Sequence, residues 1–257
     1  MVVAADQGPE LEPELSPGAG PSHPSWLAAE VVTSERISPS AQRIELSVPG
    51  WRGALPGQHV DIRLTAEDGY QAVRSYSLAS TGADVVELAV ERLPDGEVSP
   101  FLVDELRVGD LLEVRGPLGG WFVWRPADPG PVQLIAGGSG VVPLVAMIRA
   151  RAGMDGPPFR LLYSVRDRSR ALFGDLLDAG PDGTTVSWIY TREAPTGWPR
   201  APRRLSAEDL DRYAFDPQRQ PTVFVCGATG FAESVSRLLI DRGHPTTKIR
   251  IERYGGD

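Results

Sequence analysis

Between residue 26 and about residue 124 the apolar positions come in short runs, β-branched or alternating with polar residues: 29–32, 43–48, 60–64, 73–78, 85–90 and 111–114. Pro56-Gly57, Asp68-Gly69 and Val108-Gly109-Asp110 punctuate them as turns do. Short strands at this spacing predict an all-β Greek-key barrel, with one short helix over 99–106. After residue 125 the rhythm changes. Apolar runs at 132–136, 159–165, 185–190, 222–226 and 249–251 alternate with helical patterns at 142–151, 172–177, 207–213 and 231–242. In the last of these Phe231, Val235, Leu238 and Leu239 fall on one helical face. Such alternation predicts an α/β domain with a doubly wound parallel sheet, whose ligands lie at the carboxyl ends of its strands.

The loop 126–131, with three prolines and a glycine, is the expected boundary between the two. Residues 1–24 are rich in Pro, Gly, Glu and Ala and carry too little apolar surface to offset the entropy of ordering. The expected organisation is therefore a mobile tail over 1–24, a barrel over 25–126 and an α/β domain over 127–257.

Length and composition agree with a folded two-domain chain: 257 residues, 41% hydrophobic and 23% charged. A net charge of -8 gives no electrostatic footprint for nucleic acid or for an anionic membrane. The single cysteine, Cys226, cannot make an internal disulfide or a four-thiolate iron–sulfur cluster, so any such cluster belongs to a partner. His23, His59 and His244 lie far apart without paired acidic or cysteine ligands, which argues against a metal site. No secretory leader and no apolar run long enough to insert in a membrane is evident, and cytoplasmic residence is expected.

Three segments carry candidate chemistry. Arg74-Ser75-Tyr76-Ser77-Leu78 lies on a predicted barrel strand, followed by Gly96-Glu97-Val98-Ser99 at the entrance to the short helix. Strand alternation puts Arg74, Tyr76 and Leu78 on one face and Ser75 and Ser77 on the other. A guanidinium grips phosphate oxygens in a two-pronged way, a phenol ring covers a flat heterocycle, and free amides at a helix start suit an anion. Gly137-Gly138-Ser139-Gly140-Val141 leaves an apolar strand and opens a helix, where glycines allow backbone amides to approach a pyrophosphate. Val225-Cys226-Gly227 ends another strand in the same way, and Cys226 there suits packing against a ligand more than nucleophilic chemistry. Trp121 and Trp124, near the boundary, are expected to pack between the domains.

In order and separation these segments resemble the ferredoxin-NADP reductase superfamily across nearly all of the chain from Ser25 to Tyr254. The pattern is closest to bacterial stand-alone reductase subunits without a ferredoxin domain. The resemblance implies a flavin gripped at its phosphates by Arg74 and by Gly96, Val98 and Ser99, with Ser75, Tyr76 and Leu78 in the same strand motif. It places Tyr76 against the flavin ring, Ser77 near its N5, and Gly138, Ser139, Gly140 and Val141 at the nicotinamide nucleotide. Cys226 and Gly227 would lie beside the nicotinamide C4, and Glu252 with Tyr254 would approach the flavin from the chain's end. Ser77, Cys226 and Glu252 are thus the candidate catalytic residues.

Family habit favours FAD over FMN. Ser164, Arg166 and Arg192 match the positions that hold a 2′-phosphate, so NADPH is expected over NADH, although Asp167 lies between them. The implied activity takes hydride from NAD(P)H and passes electrons to a separate redox protein or small acceptor. A free-flavin or quinone reductase remains open, as does a nucleotide-sensing subunit without catalysis.

Overall fold

The computed structural model describes residues 25–66 and 68–254. The expected tail, 1–24, lies outside them.

Six antiparallel strands form the first sheet: β1 (Trp26–Ser38), β2 (Ala41–Ser47), β3 (His59–Thr65), β4 (Gln71–Ser77), β5 (Val85–Glu91) and β6 (Leu111–Leu118). Their order is β4-β3-β6-β1-β2-β5, so β4 and β5 are the two edges. The sheet curls until these edges approach, and they meet at a single bridge between Leu78 and Leu88. The barrel is therefore closed at one end of its seam and parted along the rest. Alternation builds its core: Ile44 and Leu46 turn inward onto Val31, Ile62, Leu88 and Val114, while Arg43 and Glu45, alternating with them, stay on the outer face.

Two predicted elements change shape. The run at 29–32 is the middle of a 13-residue strand, β1, whose second half carries Thr33, Ser34, Glu35 and Arg36. That half is held by β2 alone, in register from Thr33 opposite Glu45 to Ser38 opposite Ala41, so it needs no apolar face. The short helix expected over 99–106 is present over 99–105, but its part from Phe101 to Glu105 widens to a π-helical turn, without a side-chain cap. Ser99 does not cap it: its hydroxyl accepts the Leu93 amide at 3.1 Å and closes the turn before it.

The second sheet contains β7 (Val132–Gly137), β8 (Phe159–Val165), β9 (Thr184–Tyr190), β10 (Thr222–Ala228) and β11 (Ile249–Tyr254), all parallel, in the order β11-β10-β7-β8-β9. The direction of winding reverses between β7 and β10, which opens a crevice at their carboxyl ends. Four helices connect the strands: α1 (Val141–Arg151), α2 (Gly174–Asp178), α3 (Ala207–Tyr213) and α4 (Thr229–Asp241). α2 starts two residues later than expected because Phe173 takes a left-handed conformation, φ 55°.

α1 fixes the two sheets to each other. Every residue from Val141 to Ile148 is buried, the pattern of a helix enclosed on all sides. One face covers the parallel sheet, and the helix shares a single core with Ala41, Ala79 and Ala89 of the barrel. At its end Arg149 donates to the Ala79 carbonyl at 2.9 Å and to Glu87 Oε2 at 2.6 Å. Glu87, only 5% exposed, accepts a second bond from Arg43 Nε at 2.7 Å. Trp124 is buried edge-on against Phe159, as interdomain packing requires. Trp121 is not: its ring is 63% exposed, because the Gly119-Gly120 turn carries it outward.

Candidate active site

The parted seam is the site. A cleft of about 330 Å3 opens between β4 and β5, bounded by Arg74, Tyr76 and Ser77 on one strand and by Ala89 and Glu91 on the other. Gly96–Ser99 forms its rim, and Ser139, Val142 and Tyr254 of the α/β domain form its floor. Ala89, Glu91 and Leu93 carry no local motif. They join the site because the sheet order makes β5 the other lip of the seam.

Along β4 the side chains divide. Arg74 is exposed at the rim and donates to Glu97 Oε2 at 2.5 Å, while Tyr70 reaches the same carboxylate at 3.4 Å. Ser75 borders the cleft, but its hydroxyl donates to Asp61 Oδ1 at 2.6 Å, and Asp61 is also bound by Arg115. Leu78 turns into the barrel core at 1% exposure, and Val98 is fully buried there. Leu78 does not border the cleft, whereas Val98 does. Tyr76 is half-buried, and burial pushes its phenol up to about 12, so it stays protonated near neutrality.

Ser77 faces the α/β domain. Its hydroxyl donates to Glu252 Oε1 at 2.9 Å, joining β4 to the last strand. In the parallel register Glu252 lies beside Cys226, so Ser77, Glu252 and Cys226 come together. Burial raises the Glu252 carboxyl above the usual range, against the opposing effect of the Ser77 bond. The Cys226 thiol is 2% exposed and pushed well up by burial and by the neighbouring carboxylate, so it is no thiolate at neutral pH.

The glycine turns after β7 and β10 pack against each other with no room for side chains. A Cβ on Gly140 would collide with the Cys226 carbonyl oxygen, and one on Gly227 would lie 2.7 Å from the Phe231 ring. Gly138 has φ +56°, a conformation that glycine adopts without penalty. Tyr254 seals the turn, donating to the Gly137 carbonyl at 2.5 Å and accepting the Gly140 amide at 3.3 Å. Burial pushes its phenol up to about 12 as well. Val141 is buried at the start of α1, and its amide donates back to the Gly138 and Ser139 carbonyls of the turn.

Further along the same edge, Ser164 is buried at the end of β8, and Arg166 and Arg192 lie side by side, with the Arg192 amide donating to the Arg166 carbonyl at 2.9 Å. Neither guanidinium has an acidic partner among the described residues. Asp167 does not oppose them. It is turned into its own short helix, accepting from Ser169 Oγ at 2.5 Å and from the Arg170 amide at 3.2 Å.

Comparisons with known proteins agree with this arrangement. An oxidoreductase FAD-binding domain model matches residues 28–123 and an oxidoreductase NAD-binding domain model matches residues 134–237. The chain belongs to the ferredoxin-NADP reductase superfamily. It is 35% identical over 161 residues to methane monooxygenase component C of Methylosinus trichosporium, covering 60% of this chain and 46% of that protein. It is 31% identical to the ferredoxin reductase component of a 3-ketosteroid-9-alpha-monooxygenase from Mycobacterium tuberculosis, covering 77% of this chain and 54% of that one. The chain thus spans about half the length of these curated relatives. Among solved structures, the ferredoxin reductase in carbazole 1,9a-dioxygenase matches with a TM-score of 0.77 at 26% identity, over 90% of this chain and 70% of that one. Among the described residues no helix is long and apolar enough to cross a membrane.

In this superfamily member the raised carboxyl has a thermodynamic consequence. Glu252 binds its proton more readily in the folded chain than in the unfolded one, so its contribution to stability is present at acid pH and fades as pH rises through the raised value. A glutamine keeps an acceptor for Ser77 without the buried charge. The expected result is that Glu252→Gln melts higher than the parent at pH 8, with the difference vanishing near pH 4. Equal melting temperatures at pH 8 would remove the desolvation argument.

Proposed function

We propose that this chain is an NAD(P)H-dependent flavoprotein reductase that takes hydride from a reduced nicotinamide and delivers electrons to a separate redox partner. The observation that supports this reading best is the Ser77–Glu252 hydrogen bond, which brings a barrel strand and the last strand of the nucleotide sheet together at the floor of one cleft.

The residues present fit FAD. The cleft has a guanidinium at its mouth, phenol rings from Tyr76 and Tyr254 on its walls, and hydroxyls from Ser75, Ser77, Ser99 and Ser139 along its lining. Arg74 and the 96–99 segment would hold the phosphates, with Arg74 exchanging Glu97 for the ligand. Tyr76 would lie against the flavin ring and Ser77 would donate toward its N5. Gly138, Ser139, Gly140 and Val141 would carry the nucleotide pyrophosphate, and Cys226 with Gly227 would flank the nicotinamide. Once bound, FAD supplies a ring that accepts one hydride, with its two electrons, and releases the electrons singly. The chain's own residues align the two rings, exclude water through the buried Cys226 and Tyr254, and hold a proton at Glu252 for exchange through Ser77.

Arg74→Ala is expected to weaken FAD binding by about 1.5 to 3 kcal/mol, the usual worth of a hydrogen bond to a charged group, discounted because Glu97 must first be displaced. Titration of apoprotein with FAD measures it. Unchanged affinity would take Arg74 out of the site.

NADPH is the proposed donor. Arg166 and Arg192 present two guanidiniums without an acidic partner among the described residues, at the strand ends where a 2′-phosphate is read, and the carboxylate that would favour NADH is engaged by Ser169 and Arg170. Purified protein should be yellow and bleach anaerobically with NADPH, with kcat/KM favouring NADPH over NADH by about tenfold or more. The preference should collapse in an Arg166→Ala, Arg192→Ala double variant. Protein that binds no flavin would sink the reductase reading, whereas equal use of both donors would sink only the NADPH assignment. The partner is proposed to be an oxygenase or ferredoxin component, from the names of the relatives and from the lack of cysteines for a cluster in these 257 residues.

A further inference from the structure

At the opposite end of the parallel sheet from the candidate cleft, the start of β8, the end of α3 and the segments leading into β10 and β11 surround a second cavity of about 420 Å3. Arg160, Arg212, Arg219 and Arg242 line it, with His244. Arg242 is committed to structure: its Nε donates to Asp211 Oδ1 at 2.7 Å and to the Ala207 carbonyl at 3.2 Å. The other three guanidiniums have no acidic partner among the described residues.

The floor is rigid. Phe215 is 3% exposed, and its amide donates to Gln133 Oε1 at 3.0 Å, a side chain fully buried in the central strand β7. The guanidinium carbon of Arg160 lies 4.4 Å from the centre of the Phe215 ring and that of Arg219 lies 4.9 Å from it. Arg160 spends one N–H on the Ala214 carbonyl at 2.8 Å and keeps the rest. Two carboxylates also line the cavity, and both are engaged: Asp211 by Arg242, and Asp216 by the Gln218 amide at 2.8 Å. His244 is 4% exposed with its Nδ1 buried and unpartnered, and burial lowers its pKa, so the imidazole stands neutral with an unfilled hydrogen-bonding position.

Guanidiniums gathered around one aromatic floor repel each other unless an anion lies between them, and their fork geometry matches phosphate oxygens. The cavity's concavity favours a small molecule over a flat protein surface. We propose that this cavity binds a small phosphate-bearing polyanion, at a site separate from the nucleotide crevice.

The probe is inorganic pyrophosphate, titrated by calorimetry into flavin-loaded protein in the presence of excess NADP+ and NAD+, so that the crevice is already filled. Binding near one equivalent is expected. Arg212→Ala with Arg219→Ala, both on exposed side chains and therefore compatible with folding, should weaken it at least tenfold, while the melting temperature without ligand stays within a degree or two. The Arg166→Ala, Arg192→Ala variant should bind pyrophosphate as the parent does. No binding to the saturated protein would overturn the proposal. So would unchanged affinity in the Arg212 and Arg219 variant, or a loss confined to the Arg166 and Arg192 variant.

Discussion

Replacing Glu87 with alanine is expected to lower the unfolding free energy by about 3 kcal/mol, the lower end of the cost of removing one partner from a buried ion pair. The Glu87 side chain is 7% exposed and accepts from Arg43 of β2 and Arg149 of α1 at once. Alanine would leave Arg149 without an acidic partner among the described residues, while Arg43 keeps Glu45 and Glu35. The exposures of Arg43 and Arg149, 28% and 32%, let water relieve part of the cost and set the estimate at the low end. For a chain of this size about 3 kcal/mol corresponds to a fall of roughly 6 to 12 °C in melting temperature. Because Arg149 also holds the Ala79 carbonyl, the same variant should expose the 119–131 connection to protease. A loss below about 1 kcal/mol in denaturant titration would show that the clasp is not a stabilising element.

Gly140→Ala should be nearly as damaging, and for a different reason. Its Cβ would collide with the carbonyl oxygen of Cys226 and stand 2.7 Å from the Gly227 amide nitrogen, both backbone atoms. β10 cannot retreat, because it is paired with β7 on one side and β11 on the other. Overpacking of this kind costs about 1 to 3 kcal/mol, and a rigid neighbour puts it at the upper end. The two turns must part, carrying away the amides proposed to hold the nucleotide, so nicotinamide-nucleotide binding should fall along with the melting temperature. Gly230→Ala is the control. It lies in α4 with nothing within 4 Å of the added carbon, and alanine there should be neutral or gain up to about 1 kcal/mol. Equal behaviour of the two variants would refute the close contact.

Local signals are legible in the chain, and long-range ones are not. β8 and α3 have the bounds their periodicity implies, since each is an isolated run flanked by turn residues. β1 shows in the sequence only at its apolar middle, because its outer half is specified by pairing with β2 and not by an apolar stripe. Arg74, Tyr76, Ser77 and the glycines of both turns announce themselves as motifs. Leu78 belongs to the same motif by sequence, yet its side chain is drawn into the barrel core, and the Ser75 hydroxyl, at the cleft's border, is already spent on Asp61. Glu87, Ala89 and Glu91 are silent, since nothing in a strand of alternating residues reveals that it will form the far lip of a seam. Trp121 misleads because a large aromatic near a boundary resembles buried packing until the turn that exposes it is known.

Beyond the single bridge at Leu78 and Leu88, β4 and β5 face each other as two bare strand edges. Unpaired edges of this kind are templates on which another chain can add a strand. If FAD lies between them as proposed, its loss bears on solubility as well as on chemistry: unloaded protein should associate through these edges in the absence of any unfolding, and saturating FAD should keep it dispersed.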